Sequence, residues 1–458
     1  MLRRTASVFE VRNRLFRFVE NATTSRDFFG AILTGYALTA LSLGVQFVLT
    51  PVYLNRLGQS QFGKLMMVLS FVNFIAIGIT WMSGGLTRIL GELWSVEDHD
   101  GFRMAYALGK WVFCVYAVLV SVVGLGIWAI LEAGAEAGSG VPLWAVGAAL
   151  YLIASYESNP DRQAFVAMCK QAQGNVIEAV RVAVFAVLTL LLLPVYPQIE
   201  LVLLAYLVGI LVQRGLMVLQ LRKSLSGLRW RLPDKGSRNL LRRLAGKQGL
   251  QYVAYGALLL AMQADLLILG FLAGPDIAAK YAVLWKIPEA LSLVLWRIPS
   301  AIEPHVVRMD ASNNRRGLVR MFNLGRIYFL GLVLFVAIGF AVAGQALATL
   351  WVGGFAPEEP WMYWLAATAM FLLTIARWPI SVAYALIKLK PLIIIGVIEL
   401  IAKIALTAIL LPQLSYAAPL AAIVIVHVAV IAWAYQFFIN AESLQAGAGA
   451  GMPDRTGG

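Results

Sequence analysis

Twelve apolar stretches, each closed off by charge, proline or glycine, govern what this chain can fold into. They lie near 29–54, 62–85, 105–131, 141–157, 178–197 and 199–220, then near 250–272, 278–302, 324–350, 361–387, 391–411 and 415–439. A helix that crosses the hydrocarbon core of a bilayer needs about 20 mostly apolar residues. With 60% of 458 residues apolar and only 13% charged, no water-soluble core could hide the material, because a soluble globule still needs a polar skin. The sequence therefore predicts an all-α integral membrane protein with twelve transmembrane helices. Disordered, collagenous, coiled-coil and disulfide-scaffold classes are excluded by the same composition.

The charge balance gives the orientation. There are 37 Lys+Arg against 24 Asp+Glu, a formal +13. In a soluble chain such an excess raises the question of nucleic acid. In a membrane chain it marks the cytoplasmic loops, and no nucleic-acid partner is expected. Alternate loops divide the bases sharply: the set that includes the N-terminal segment holds 29, the opposite set only Arg56, Lys64 and Lys280. Both termini are thus expected in the cytoplasm, an alternation that an odd number of spans would break.

Residues 1–28 carry six arginines and no apolar run of signal-peptide length. Ser7 and Glu10 have capping-box spacing, and Val8, Leu15, Phe16 and Val19 would share one helical face. The segment is either an amphipathic helix on anionic membrane lipids or a solvated basic tail. The expected organisation continues with a six-helix bundle at 29–220, a basic cytoplasmic linker at 221–249, a second six-helix bundle at 250–440 and a flexible tail at 441–458. The linker carries no G-x-x-x-x-G-K-[ST] to cradle a nucleotide. Its alternatives are docking a glycosyltransferase and resting on anionic lipid.

The two halves carry a faint repeat. At an offset of 216 residues, Gly58 falls on Gly274 and Lys64 on Lys280. Each segment follows an odd span and precedes an even one, as expected of transporters built from repeated units. The turn Leu57-Gly58-x-x-x-Phe62-Gly63, and its echo Asp265-x-x-x-Leu269-Gly270-x-x-x-Gly274 followed by Tyr281, resemble those of bacterial polysaccharide flippases. These are the Wzx-type members of the multidrug/oligosaccharidyl-lipid/polysaccharide exporter superfamily. The major facilitator fold, also twelve-spanning, usually carries an Asp-Arg pair in the loop after span two. Here that loop runs from Gly84 through Arg88 to Glu92 without the pair.

The resemblance implies two pseudo-symmetric six-helix bundles that alternate between inward-open and outward-open states. It also implies a polyprenyl-diphosphate-linked oligosaccharide as cargo, carried from the cytoplasmic to the outer leaflet of the bacterial inner membrane for surface polysaccharide synthesis. A polysaccharide polymerase or glycosyltransferases would be its partners. Cavities in this family are commonly lined by cations that face the diphosphate, and Asp265 matches the family's acid on span seven.

Charges inside spans are costly and seldom face lipid, so they nominate the site. The candidate substrate-binding cations are Lys286, Arg297, Arg377, Arg181 and Lys403. Candidate ion-coupling or counter-ion acids are Asp265, Glu289, Glu178 and Glu399. On a straight helix Lys286 and Arg297 are separated by about 20° after eleven steps of 100°, which predicts a rail with Glu289 beside it. Alternatively Lys286 and Glu289 pair, and Arg297 reaches for the cytoplasmic end. Glu178–Arg181 and Glu399–Lys403 have the spacing of intrahelical pairs. Arg377 has no acid within four residues and suits the forked recognition of a phosphate. Asp265 is either the coupling site or a counter-ion to Arg377 or Arg297.

Trp285 and Trp296 flank the charged stripe and are candidates to stack on sugar rings, against the alternative of an interfacial belt. His99, His305 and His427 form no zinc pattern, Cys114 and Cys169 no metal or disulfide spacing, and no nucleophile motif is present. No cofactor or metal is expected beyond coupling to H⁺ or Na⁺. The sequence thus predicts a flippase rather than an enzyme, with an H⁺- or Na⁺-coupled drug/cation antiporter of the same superfamily as the alternative. A membrane-embedded transferase would need an exposed catalytic segment, and no external loop exceeds about a dozen residues.

Overall fold

The computed structural model describes residues 26–133, 143–225, 240, 264–312, 314–386 and 389–431. Most of the basic N-terminal segment, the linker and the C-terminal tail lie outside the described residues. Those described are helical, joined by turns, and the helices follow the apolar stretches. They are α1 (Arg26–Ser95), α2 (His99–Ala133), α3 (Leu143–Glu157), α4 (Asn159–Ala167), α5 (Gln171–Leu192) and α6 (Ile199–Ser224). Then come α7 (Ala264–Ala273), α8 (Pro275–Leu295), α9 (Arg297–Ala311), α10 (Arg315–Val352), α11 (Pro360–Ala385), α12 (Leu389–Leu414) and α13 (Ala418–Val426). Seven of the described helical stretches are long and apolar enough to cross a membrane. Two of them hold two expected spans each: Gly30–Ile75 is 46 residues and Leu392–Ala429 is 38, against about 20 per crossing. The chain is a multi-pass membrane protein.

Spans one and two are the two arms of α1, which breaks at Gly58 (φ 77, ψ 169). Its partner at the offset of 216, Gly274, has φ 93 and ψ 166 and caps α8. Positive φ with extended ψ is essentially confined to glycine. The repeat is therefore conformational as well as textual. Beside these turns, a Cβ on Gly63 would overlap the carbonyl of Pro275, and Gln59 Nε2 donates to the Asp276 carbonyl at 3.1 Å. The two turns thus lie against each other.

Spans five and six are separate helices, because the turn after Leu192 leads through Pro194 and Pro197 before α6 starts at Ile199. Span eight is divided at Trp296, where α8 ends and α9 begins. Pro299 has no N–H for the Leu295 carbonyl, which removes one bond from the ladder there. α10 is 38 residues long, about 57 Å at 1.5 Å per residue.

The described chain forms two compact units. One comprises the described residues of Met1–Leu49 and Met82–Ala245, the other those of Thr50–Trp81 and Gly246–Gly458. In the first, α5 packs on α6, α6 on α3 and α3 on α2. In the second, α11 is the central element, packed against α8, α9, α10 and α13. Its core clusters Tyr281, Leu284, Phe340, Tyr363 and Met370 toward one end and Phe322, Phe329, Trp378 and Ile395 toward the other. The outer surface reverses the pattern of a soluble protein. Along α10, Tyr328 (76%), Phe335 (76%) and Val342 (70%) recur every seven residues and stay exposed, as a face bathed in lipid requires.

Candidate functional site

In the second unit, charge is buried on three helices that the chain brings together. Lys403 of α12 donates from Nζ to Asp265 Oδ2 of α7 at 2.9 Å, and both side chains are 2–3% exposed. The same oxygen accepts the hydroxyl of Tyr281 on α8 at 2.6 Å. Gly274 turns the chain between α7 and α8, bringing Tyr281 back to Asp265 sixteen residues earlier. The spacing from Asp265 through Gly274 to Tyr281 is thus the covalent geometry of a hydrogen bond. Burial of a lone carboxylate here would be prohibitive, and the ammonium and hydroxyl offset it. The cation facing Asp265 is therefore Lys403, where sequence spacing offered Arg377 or Arg297.

One turn back on α12 lies Glu399. Its Oε1 is 3.6 Å from His427 Nε2, with both side chains 2% exposed. His427 Nδ1 is 3.0 Å from the carbonyl of Ile423. At His427 the helix loosens from α13 into a π turn over His427–Ile431.

On α8, Lys286 and Glu289 form the expected i,i+3 pair at 3.1 Å, each less than a third exposed. Arg297 is exposed at the start of α9. Lys286 lies in α8 and Arg297 beyond the helix break at Trp296. Arg377 of α11 is buried, its guanidinium carbon 5.2 Å from the centre of the Trp296 ring. The indole expected to meet sugar thus faces a cation. Trp285 is packed in the core beside Tyr281 and Leu284. On α9, burial pushes the Glu303 carboxyl up while Arg377 pulls it back, which places an acid beside that arginine.

The first unit holds a cluster that the sequence reading did not single out. Lys110 of α2 bonds Asp161 Oδ2 at 2.6 Å and the Glu157 carbonyl at 2.7 Å, and lies 3.1 Å from Glu157 Oε1. Arg214 of α6 grips the other side of Glu157, Nε to Oε2 at 2.7 Å. The Tyr106 hydroxyl donates to Asp161. Glu157 ends α3 and Asp161 lies in α4, so two carboxylates converge on one ammonium through the short Ser158-Asn159-Pro160 turn. The available signal was Glu157 and Asp161 at i,i+4 beside a span, with a lone lysine near the start of the preceding one. Glu178 pairs across helices with Arg162 at 3.2 Å and along its own helix with Arg181 at 3.6 Å. Among the described residues no group of three or more His, Cys, Asp or Glu is placed to hold a metal ion.

The fold has relatives among solved structures. An inward-facing multidrug-resistance transporter of the MATE family, in the MOP superfamily, matches at TM-score 0.70 and 13% identity, over 88% of this chain and 94% of that one. The lipid II flippase MurJ, in an inward closed conformation, matches at TM-score 0.68 and 11% identity, over 89% and 86%. A MOP-superfamily transporter from Pyrococcus furiosus, described as having a binding pocket of reverse polarity that suggests a different function, matches at 0.59 and 12%, over 90% and 96%. No protein-family model matches the sequence, and no curated protein matches it. At these identities the likeness establishes the fold: an all-helical architecture shared with transporters, both drug exporters and a lipid-linked flippase, rather than with enzymes.

Proposed function

We propose that this chain moves a polyprenyl-diphosphate-linked oligosaccharide from the cytoplasmic to the outer leaflet of a bacterial inner membrane, in the manner of a Wzx-type flippase. One observation carries the reading. Six buried or half-buried carboxylates in the described spans and their ends face bases of the protein itself: Glu157 and Asp161 face Lys110, Glu178 faces Arg162 and Arg181, Asp265 faces Lys403, Glu289 faces Lys286, and Glu399 faces His427. A cationic drug would compete with a tethered base at each of these six, so the charge pattern opposes the antiporter and favours an anionic cargo.

In this reading Lys286, Arg297 and Arg377 meet the diphosphate. The planar fork of an arginine matches two phosphate oxygens at once, and a low-dielectric setting strengthens the attraction. Lys403 and Arg181, held by Asp265 and Glu178, set the shape and charge of the helices instead. The prenyl tail stays in lipid, where its transfer needs no protein groups. MurJ, a lipid II flippase on the same fold, makes the cargo class compatible with this architecture.

The test follows radiolabelled lipid-linked oligosaccharide in inverted vesicles from a deletion strain. Build-up on the cytoplasmic leaflet is expected, relieved by the wild-type protein and not by Arg377→Ala. An unchanged leaflet distribution together with new sensitivity to cationic dyes would refute the flippase and establish the antiporter.

A further inference from the structure

The second unit has a groove of about 260 Å³ between α10 and α11 that transport leaves unused. Phe329, Trp378 and Pro379 are buried and make its floor, while Ile327 and Leu330, 60% and 41% exposed, make its rim. Arg326 is the lining residue nearest the basic end of α10. The floor is fixed in place. Trp378 Nε1 donates to the Phe322 carbonyl at 3.2 Å, and the Trp378 ring lies 5.5 Å from that of Phe329. The indole sits so closely on Gly325 that a Cβ there would overlap it. Side chains held in this way cannot fold into the groove and close it, so the space is ready for an occupant.

The lining prescribes what that occupant is: apolar along most of its length and anionic at one end. α10 carries Arg315, Arg316, Arg320 and Arg326 in its opening turns and no Asp or Glu anywhere along its 38 residues. Such an acid-free basic stretch, where a span leaves the hydrocarbon, attracts the anionic lipids of the adjoining leaflet. The half-buried Arg326 places its guanidinium carbon 5.8 Å from the centre of the Phe322 ring. A ring engages the flat of a guanidinium, whereas a phosphate bonds to its edge, so the two contacts are compatible. The groove is also distinct from the proposed diphosphate contacts. Arg377 turns its guanidinium to Trp296, and the next residue, Trp378, turns to α10.

We propose that this groove is a binding site for an anionic phospholipid of the cytoplasmic leaflet. The phosphate lies on the edge of the Arg326 guanidinium, and the first part of one acyl chain lies against Ile327, Leu330, Ile375 and Trp378. The cytoplasmic leaflet is the one that the distribution of bases assigns to this end of α10. A zwitterionic lipid offers the same chain and phosphate, but its ammonium would sit in the field of Arg316 and Arg320 and is disfavoured. Because α10 and α11 both line the groove, the lipid joins two helices and stays when detergent strips the bulk bilayer. This assignment does not rest on the identity of the cargo.

The test is native mass spectrometry of the full chain in neutral detergent, titrated with phosphatidylglycerol or with phosphatidylethanolamine of the same chains. Wild type is expected to hold phosphatidylglycerol in preference, and Arg326→Ala to weaken it about tenfold, the equivalent of one charged hydrogen bond. Leu330→Trp, which fills the groove from its exposed rim, should weaken it as well, and Arg320→Ala, outside the groove, should leave it nearly unchanged. Equal weakening by Arg320→Ala and Arg326→Ala would mean diffuse attraction to a basic helix end and would overturn the site. Binding unchanged in both Arg326→Ala and Leu330→Trp would overturn it too. A second reading needs no variant: phosphatidylglycerol should raise the wild-type thermal transition above the value in phosphatidylethanolamine, and equal transitions would count against an anionic site. If a prenyl diphosphate displaced the phosphatidylglycerol lost in Arg326→Ala, the groove would belong to the cargo and the phospholipid assignment would fall.

Discussion

The two units each bury a cluster of charge, and the clusters differ in what faces their carboxylates. In the first unit, Lys110 and Arg214 face Glu157 and Asp161, two cations against two carboxylates, and the sum is zero. In the second, Lys403 faces Asp265, and Glu399 faces the imidazole of His427. The first set is a closed clamp that ties α2, α3, α4 and α6 together. The second sets one of its two carboxylates against a histidine rather than a fixed cation. Similar burial thus holds carboxylates with permanent cations in one place and with a titratable ring in another.

Breaking the clamp should give the largest effect. Lys110→Met leaves two carboxylates with one partly exposed arginine between them, and about 3–5 kcal/mol of stability should go, seen as lost monodisperse protein and an early thermal transition. Lys403→Met should cost about 3 kcal/mol, and adding Asp265→Asn should recover most of it; a double variant no better than the single would mean that packing, not charge, is at stake. The sharpest contrast comes from two isosteric changes. Glu157→Gln leaves the closed set at +1 and should cost about 2 kcal/mol. Tyr281→Phe removes one donor from Asp265, for about 1 kcal/mol. Glu399→Gln removes the charge that lacks a fixed counter-ion, and the melting temperature at neutral pH should move by less than about 0.5 kcal/mol equivalent. Equal losses for Glu157→Gln and Glu399→Gln would erase the distinction between the units.

Much of this was legible in the sequence and some of it was not, for definable reasons. The apolar stretches foretold the helices because a span must satisfy its backbone internally, whatever packs on it. Gly58 and Gly274 were legible as an offset repeat because their backbone angles admit no other residue without strain. Intramembrane charge marked Asp265, Lys403 and Glu399 as special. Their partners were hidden, because Asp265 and Lys403 are 138 residues apart and helical spacing ranks only neighbours three or four residues away. Lys110, Glu157 and Asp161 escaped for the opposite reason: they lie at the ends of apolar runs, where a charge looks solvated. The division of span eight at Trp296 was foreshadowed by Pro299.

The length of α10 has a mechanical side. At about 57 Å it is nearly twice the roughly 30 Å hydrocarbon thickness, and its exposed apolar face occupies the later turns while Arg316, Arg320 and Arg326 stud the earlier ones. A rigid rod of this length acts as a lever on what packs at its basic end, where Leu318 and Phe322 are buried and Trp378 Nε1 donates to the Phe322 carbonyl. A tilt of a few degrees within the lipid becomes a sideways sweep of several ångströms at the basic tip, so small rearrangements around α11 are geared up where the helix meets the aqueous phase.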